Sequence, residues 1–363
     1  MNWRKIAAVM LLFVCVQVCG LPAAEPDSTN NARLRKMLER FGEADADGDG
    51  VLTMSEARAF QKKQRKARQK AEDKVGAGGK RLTPTFADVK YGPHERNVLD
   101  LYQAKSDKPT PVVVYIHGGG FKGGDKKSLS PIVVDKCLEA GVSAAAINYR
   151  FREQAPIQDI LRDAARAIQF LRHKSGGWNI DKKRIASFGG SAGAGTSLWL
   201  AFHDDLADPD NKDPVLRESS RLAVAGSLNG QFSYDFERWA DVIGEYPERA
   251  QSPVGELHRF YGLKDPNDLY SPKGRAIRAD VDMLGLLSKG DAPVFLFSGG
   301  KNVDPTNHGH YVHHPRHSIA VKRRCDKVGV ECQMLLRSQD AALPSKPFEQ
   351  MLEFFFKHLK VPD

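Results

Sequence analysis

The sequence predicts an α/β fold: a doubly wound, mostly parallel β-sheet preceded by a small helical segment. Apolar runs suited to buried strands alternate with segments of helical periodicity from residue 85 onwards. Glycine-rich turns follow two of these strands, at residues 117–120 and 189–193. The chain has 363 residues, 41% of them hydrophobic, which is enough for one large domain and a small appendage.

The predicted elements follow one another in the order of such a sheet. Alternating segments at 85–91 and 97–102 predict an antiparallel opening pair. Continuous apolar strands, typical of a parallel sheet buried on both faces, are predicted at 111–116, 142–147, 184–188, 222–227, 293–297 and 332–336. Helices are predicted at 130–140, 157–171, 194–201, 319–328 and 348–359. A long excursion at 229–290 is rich in aromatic residues, and packing within the excursion is their favoured role.

The turn at 189–193 has the G-x-S-x-G pattern of a nucleophile elbow, with Ser191 at its centre. A serine on so sharp a strand-to-helix turn is strained and exposed, so its neighbours must lack bulk. A lone G-x-S-x-G also occurs by chance in plain glycine-rich turns. The assignment of Ser191 as a nucleophile therefore needs a second motif.

That second motif is the loop His117-Gly-Gly-Gly-Phe121, which directly follows the predicted strand 111–116. Such a loop offers backbone N–H groups to an oxyanion hole, and the residue after the serine adds another. The predicted oxyanion hole consists of Gly119, Gly120 and Ala192. The two motifs in this order predict an α/β-hydrolase domain over residues 82–363.

Four motifs in this span resemble those of an esterase family. They are HGGGF at 117–121, GDK at 124–126, NYR at 148–150 and GGSAG at 189–193. They are similar to motifs of the esterases grouped with hormone-sensitive lipase and of bacterial feruloyl and acetylxylan esterases. The resemblance implies hydrolysis of a carboxylic ester through an acyl-Ser191 intermediate. It further implies a small-molecule or polysaccharide ester substrate, such as an acetylated or feruloylated polysaccharide.

The acid and the base of this machinery are harder to assign. The usual chain order is serine, acid, histidine, and Asp304 follows the strand 293–297 where the acid is expected. No histidine follows the last strand, 332–336, where Asp340 lies instead. Histidines crowd the preceding segment, as His308, His310, His313, His314 and His317.

Three interpretations of this histidine cluster stay open. In the first, one histidine reaches Ser191, with Asp304 as the acid or Asp340 in an exchanged arrangement. His310 is the candidate base, because a flanking glycine lets it swing. In the second, the histidines bind a metal, although their spacing fits no familiar ligand pattern. In the third, the triad is broken and the chain is a catalytically impaired α/β-hydrolase that binds a ligand or partner.

A calcium-binding loop is predicted at 45–56, which fits the twelve-residue EF-hand template. The predicted ligands are Asp45, Asp47, Asp49, the Val51 carbonyl and Glu56, with Gly50 at the sharp turn. Helical patterns on both sides complete an EF-hand segment at 25–72. EF-hands usually pair, so this single copy is expected to bind weakly or to pair between chains. The Ca²⁺ is expected to be structural and not catalytic, because its ligands leave no position for substrate chemistry.

The N-terminus predicts export to the periplasm or the extracellular space. Residues 1–24 combine a basic start, an apolar run and small residues at a cleavage site, as in a signal peptide. The apolar run is short for a transmembrane helix, so no integral membrane span is expected after cleavage. A lipoprotein signal ending at Cys19 and an uncleaved anchor are the alternatives.

The net charge of +9 is concentrated in one segment. Residues 57–81 hold ten basic and two acidic residues, which is nearly the whole excess. A solvated helix followed by a basic, glycine-rich linker at 73–81 is the favoured interpretation, and a tether to an anionic surface is the alternative. Because the remaining domain is near neutral, no nucleic-acid partner is expected.

The cysteines do not describe a disulfide framework. Two of the five lie in the predicted signal peptide, which leaves Cys137, Cys325 and Cys332. An exported protein can form disulfides, but a domain of this size needs none. Cys325 and Cys332 are the one pair that is close in sequence.

Overall fold

The computed structural model describes residues 26–63, 82–246 and 257–362. The chain divides into two units between Gly78 and Gly79. The predicted signal peptide, 1–24, and the predicted linker, 73–81, lie outside the described residues. Within the described ranges, no helix combines the length and apolar character needed to cross a membrane.

The smaller unit is a helix, a loop and a second helix. The first helix, α1, spans Ala32–Arg40, and the second, α2, covers 54–63. Their small core consists of Leu34, Ala44, Leu52 and Ala57. Ser28 N donates to the Leu52 carbonyl and Leu52 N donates to Ser28 Oγ, both at 2.9 Å. The chain's own N-terminal segment therefore pairs with the loop that carries the predicted calcium ligands.

The larger unit is built around an eight-stranded sheet. Its strands are β1 Phe86–Lys90, β2 Val98–Tyr102, β3 Thr110–Ile116, β4 Ser143–Ile147, β5 Ile180–Gly190, β6 Val224–Leu228, β7 Val294–Ser298 and β8 Cys332–Leu336. The order in the sheet is β1-β2-β4-β3-β5-β6-β7-β8. The pairs β1–β2 and β2–β4 are antiparallel and the others parallel. The predicted fold class, a doubly wound and mostly parallel sheet, is confirmed.

Helices cover both faces of this sheet. They are α3 Pro131–Glu139, α4 Ile157–His173, α5 Ala192–Phe202, α6 Trp239–Ile243, α7 Leu257–Phe260, α8 Pro272–Asp280, α9 Met283–Leu286, α10 His308–Val312, α11 Arg316–Val328 and α12 Phe348–His358. Val112 and Val114 of β3 face the core formed with α4 and α5, whereas Val113 faces the core formed with α3 and α12. Burial on both faces explains why β3 is a continuous apolar run.

The excursion between β6 and β7 holds α6 to α9 and packs mainly through its aromatic residues. The side chains of Phe232, Tyr234, Trp239 and Tyr261 are buried. Tyr270 is the contrast, because it is 56% exposed. Tyr234 donates its hydroxyl to the carbonyl of Ala192 at 2.6 Å. The excursion is thereby anchored to the first residue of α5, next to Ser191.

Candidate active site

Ser191 lies on the sharp turn between β5 and α5. Its φ of 53° and ψ of −120° are a strained conformation for a residue with a side chain. The flanking glycines are required by close backbone approaches. A Cβ on Gly193 would lie 2.0 Å from the Ile116 carbonyl oxygen, and one on Gly189 would lie 2.3 Å from the Gly193 carbonyl carbon. The local sequence therefore fixes the serine at the carboxyl end of the central strand.

An imidazole meets this serine. The Oγ of Ser191 lies 2.8 Å from the Nε2 of His313. The other ring nitrogen, Nδ1, lies 3.1 Å from the carbonyl oxygen of Gly309. Because a carbonyl can only accept, Nδ1 carries the proton and Nε2 presents its lone pair to the serine hydroxyl. This is the tautomer that a general base for Ser191 requires.

The surroundings of His313 favour its neutral form. Burial lowers the pKa of His313, the Gly309 carbonyl opposes this shift, and the nearby His308 adds to it. The net pKa lies below the ordinary imidazole value. His313 is therefore unprotonated at neutral pH and able to accept a proton.

The structure brings His313, and not the predicted His310, to the serine. The Nε2 of His310 lies 2.8 Å from the Lys301 carbonyl instead. The cause is the single turn of α10, which Asn307 caps by accepting the backbone N–H of His310 at 3.0 Å. The ring of His313, just after the helix, folds back onto Gly309, while His310 is directed to the preceding loop.

The predicted acid, Asp304, also lies away from the serine. Its side chain is 91% exposed and accepts a hydrogen bond from Arg316 at 3.0 Å. Asp340, the exchanged alternative, accepts the backbone N–H of Ala342 within its own turn at 2.9 Å. Among the described residues, the hydrogen-bond partners of His313 are a hydroxyl and a backbone carbonyl. The sequence-based choice of Asp304 as the group that orients the base is thus not matched by the geometry.

Two of the other three histidines contact backbone carbonyls, and His308 pairs through Nδ1 with the Tyr246 hydroxyl at 2.8 Å. His314 pairs with the Val303 carbonyl at 2.8 Å and His317 with the Tyr311 carbonyl at 3.2 Å. Within the described ranges, the one group of His, Cys, Asp and Glu ligand atoms close enough to hold a metal is the aspartate trio of the smaller unit. The histidine segment therefore lacks the convergence that the metal interpretation needs.

The loop after β3 presents the predicted oxyanion-hole glycines. Gly119 and Gly120 are exposed and have φ values of 112° and 60°, a left-handed region that favours glycine. A Cβ on Gly118 would lie 2.5 Å from the Gly190 carbonyl oxygen, so this loop touches the elbow. Ala192 begins α5 directly after Ser191. The three predicted donors thus belong to two segments that meet beside the serine.

His117 anchors the base of this loop. Its ring stacks on Tyr149 with centroids 4.2 Å apart, and the Tyr149 hydroxyl donates to the His117 carbonyl at 2.5 Å. The ring Nδ1 lies 2.8 Å from the Gly118 carbonyl, and Arg96 approaches Nε2 at 3.4 Å. Burial lowers the pKa of His117 to about 4. The neutral ring therefore donates to Gly118 and accepts from Arg96, which fixes the loop.

The GDK and NYR motifs hydrogen-bond to each other where the same loop ends. The side-chain amide of Asn148 donates to Asp125 at 3.0 Å, and Lys126 N donates to the Asn148 side-chain oxygen at 2.7 Å. The buried ammonium of Lys126 pairs with Asp100 at 2.6 Å and with Asp88 at 2.8 Å. None of these contacts involves Ser191. Their role is to position the loop.

The NYR motif also contains a brace. Arg150 binds both carboxylate oxygens of Asp163 in α4, at 2.8 and 2.9 Å. The pair is bidentate and largely buried, which is the geometry in which an Arg–carboxylate contact is strongest. It fixes the segment after β4 to α4.

Three of the five predicted calcium ligands have carboxylate atoms close to one another. One carboxylate oxygen from each of Asp45, Asp47 and Asp49 lies within 4.8 Å of the others. The Asp49 N–H lowers the pKa of Asp47, but burial and the charges of Asp49 and Glu56 outweigh it, so the pKa is raised. Hydrogen bonds from the Thr53 backbone and hydroxyl, and from Ala46 N, lower the pKa of Glu56 to about 2. Oxygen ligands crowded in this way suit a hard divalent cation.

Comparison with known sequences gives partial matches to esterases. The family model BD-FAE matches residues 99–251, which is less than half of the chain. The Oryza sativa subsp. japonica protein named "Probable isoprenylcysteine alpha-carbonyl methylesterase ICME" is 36% identical over 158 residues, covering 43% of this chain and 37% of that protein. The Mycobacterium tuberculosis protein named "Probable carboxylic ester hydrolase LipM" is 29% identical over 229 residues, covering 56% and 52%.

The solved structures agree on the architecture. A structure described as a truncated form of carbohydrate esterase from gut microbiota superposes with a TM-score of 0.59 at 19% identity, covering 77% of this chain and 98% of that one. The chain has the α/β-hydrolase fold. Its sequence is similar to carboxylic ester hydrolases, although the chain spans only 30% to 37% of the length of the first curated relatives it matches.

In this α/β-hydrolase fold, a helix-capping signal in the sequence favours His313 over His310 as the histidine that reaches Ser191. Asn307 is a good N-cap residue, and Pro315 lies shortly after the helix end. Together they predict one helical turn at 308–312. Such a turn places residue 313 four positions after Gly309, where its ring can return to the Gly309 carbonyl.

Proposed function

We propose that this chain hydrolyses carboxylic esters, with Ser191 as the nucleophile and His313 as the general base. The observation that carries the proposal is the 2.8 Å contact between Ser191 Oγ and His313 Nε2 on a strained elbow. A base within hydrogen-bonding distance is what activates a serine hydroxyl near neutral pH. The similarity to carboxylic ester hydrolases supports the same reaction class.

The residues suggest a two-stage acyl transfer. His313 Nε2 takes the Ser191 proton as Oγ attacks the ester carbonyl carbon. The backbone N–H groups of Gly119, Gly120 and Ala192 stabilise the oxyanion of the tetrahedral intermediate. His313 then returns the proton to the departing alkoxide, which leaves an acyl-serine. Water, deprotonated by His313, attacks the acyl carbon and releases the acid and free Ser191.

In this scheme a backbone carbonyl takes the role of the acid in orienting the base. The Gly309 oxygen holds the His313 tautomer and ring orientation, which are the geometric tasks of the acid in a triad. A neutral carbonyl stabilises the imidazolium less than a carboxylate does, because it carries only a partial charge. We therefore propose a Ser–His dyad that is slower than a complete triad.

The exposure of the site supports a proposed substrate class. Gly119 and Gly120 are exposed, and Ser191 and His313 are only half-buried. An exposed site has room for an ester of a bulky alcohol, including an acylated carbohydrate. The name of the carbohydrate esterase with the same fold supports this class.

We further propose an exported protein whose helix–loop–helix unit is a Ca²⁺-binding EF-hand, with a structural and not a catalytic ion.

One observation favours a second candidate, a catalytically impaired α/β-hydrolase that binds a ligand at the same cleft. Within the described residues no carboxylate accepts the Nδ1 proton of His313, whose partner is Gly309. If this orientation is too weak, Ser191 remains an exposed but unreactive hydroxyl. The enzyme is preferred because the base itself is in place.

The test is a panel of nitrophenyl esters and acetylated or feruloylated sugars, with wild type and Ser191→Ala. We expect wild type to hydrolyse an activated acetate and Ser191→Ala to lose nearly all of this activity. Covalent labelling by a fluorophosphonate probe gives a second readout, because it requires an activated serine but no particular ester. If both proteins are equally inert on the panel and neither is labelled, the binding protein is the correct interpretation.

A further inference from the structure

Two cysteines meet where the end of α11 approaches the start of β8. Cys325 is in the last turn of α11 and fully buried, and Cys332 is the first residue of β8 and half-buried. Between them the chain reverses at Gly329, whose φ of 80° is the left-handed conformation that commonly ends a helix. The backbone N–H groups of Gly329 and Val330 both donate to the Cys325 carbonyl, at 2.8 and 3.0 Å. This turn ends α11 and leads the chain into β8, which starts at Cys332.

The two thiols are neighbours, and both are free in this structure. Cys332 packs against the apolar cluster that contains Cys325. Cys137, the other cysteine of the described residues, is buried in the cluster on the opposite face of the sheet. Among these three cysteines, only Cys325 and Cys332 are placed to react with each other.

We propose that Cys325 and Cys332 form a disulfide bond that ties α11 to β8. A small disulfide such as oxidised glutathione is the oxidant. The Cys332 sulfur, deprotonated, attacks one sulfur of the oxidant and releases one reduced thiol, which takes up a proton. The Cys325 sulfur, also deprotonated, then displaces the second thiol from the mixed disulfide. Two protein thiols are oxidised and one small disulfide is reduced to two thiols, so electrons and protons balance.

The folded, reduced pair is expected to react slowly. The neighbouring Cys325 thiol and burial raise the pKa of the Cys332 thiol far above its usual range. Since the thiolate is the nucleophile in exchange, the bond forms most readily while the chain folds or opens locally. A disulfide isomerase removes this kinetic barrier without changing the equilibrium.

The bond would tie the helix that follows the proposed base to the edge strand of the sheet. β8 lies at the edge of the sheet and pairs only with β7 among the described strands. α11 begins at Arg316, shortly after His313. A covalent link at the far end of α11 limits how this helix can shift against the edge strand. Because the closed loop is short, the expected gain in stability is modest.

The test is a peptide map of the full chain. The purified protein is incubated with oxidised and reduced glutathione and a disulfide isomerase, then unfolded with iodoacetamide and no reductant. Trypsin cleaves after Lys327 and so separates the two cysteines into the peptides 325–327 and 328–337. We expect these peptides to be recovered joined, and Cys137 to be alkylated. Recovery of both peptides in alkylated form would overturn the proposal, whatever the outcome of the ester assays.

A matched pair of variants gives a second readout. The unfolding temperature of the oxidised wild type should fall when dithiothreitol is added. Cys332→Ser, at a half-buried position, should show no response to dithiothreitol. Cys137→Ser should keep the full response. A response that persists in Cys332→Ser would assign the effect to another cysteine and reject the bond between α11 and β8.

Discussion

The Nε2 of His313 lies 2.8 Å from the Oγ of Ser191. His313 belongs to the segment between β7 and β8, whereas the histidine of a Ser-acid-His triad normally follows the last strand. The loop that usually carries the acid therefore carries the base. Its Nδ1 is satisfied by the Gly309 carbonyl at 3.1 Å. One turn of helix thus positions both the base and the group that orients it.

The first prediction separates His313 from His310. We expect His313→Ala to reduce kcat/KM for an activated acetate ester by a factor on the order of 10⁴, close to the effect of Ser191→Ala. His310→Ala is the matched control, because its ring bonds to Lys301 and not to the serine. It should leave kcat/KM nearly unchanged. If His310→Ala is as inactive as His313→Ala, the observed contact is not the catalytic one.

A second prediction concerns the orientation of the base. Asn307 caps α10, which carries the Gly309 carbonyl, so Asn307→Ala should lower kcat while KM stays similar. Asn307→Asp keeps a capping oxygen and should restore most of the rate. Asp304→Asn and Asp340→Asn should change kcat little, because neither carboxylate reaches His313. A large loss of kcat in either aspartate variant would mean that this acid orients the base during turnover.

The third prediction follows from the lowered pKa of His313. Burial disfavours the imidazolium, so the neutral base persists to lower pH than a free imidazole would. We expect kcat/KM to rise with pH through an apparent pKa below about 6.5. His308 contributes to the shift, so His308→Ala should move the profile to higher pH. A wild-type profile that rises above the ordinary imidazole value would contradict this environment for the base.

A fourth prediction compares two glycines of the oxyanion loop. A Cβ on Gly119 would lie 2.1 Å from the Gly123 carbonyl oxygen, whereas one on Gly120 meets nothing within 4 Å. Gly119→Ala must displace the loop and should lower kcat about 10²- to 10³-fold, as loss of an oxyanion donor does. Gly120→Ala should keep most of the activity and lose about 1 kcal/mol of stability in urea unfolding, the cost of its positive φ. Equal losses of kcat in the two variants would contradict the steric reason for the effect at Gly119.

The parts of the site that the sequence predicted are those set by local constraints. The glycines around Ser191 and the loop at 117–121 are recognised directly, because a missing side chain has a steric reason within the motif. The choice among the loop histidines depends on α10, whose single turn decides which ring returns to the serine. The chain position of Asp304 fits the family order of the acid. Its side chain instead pairs with Arg316 at the surface, which the sequence order does not reveal.

The last prediction concerns calcium and the smaller unit. The carboxylates of Asp45, Asp47 and Asp49 repel one another without a cation, so we expect calorimetry on the full chain to detect Ca²⁺ binding. Asp49→Ala should abolish the binding heat, and Glu39→Gln, on α1 outside the loop, should not. A chelator should increase hydrogen exchange within residues 26–63 and leave ester hydrolysis unchanged, because none of the proposed catalytic groups belongs to the loop. Absence of binding heat would reject the EF-hand, and loss of ester hydrolysis on chelation would instead make the ion part of the active site.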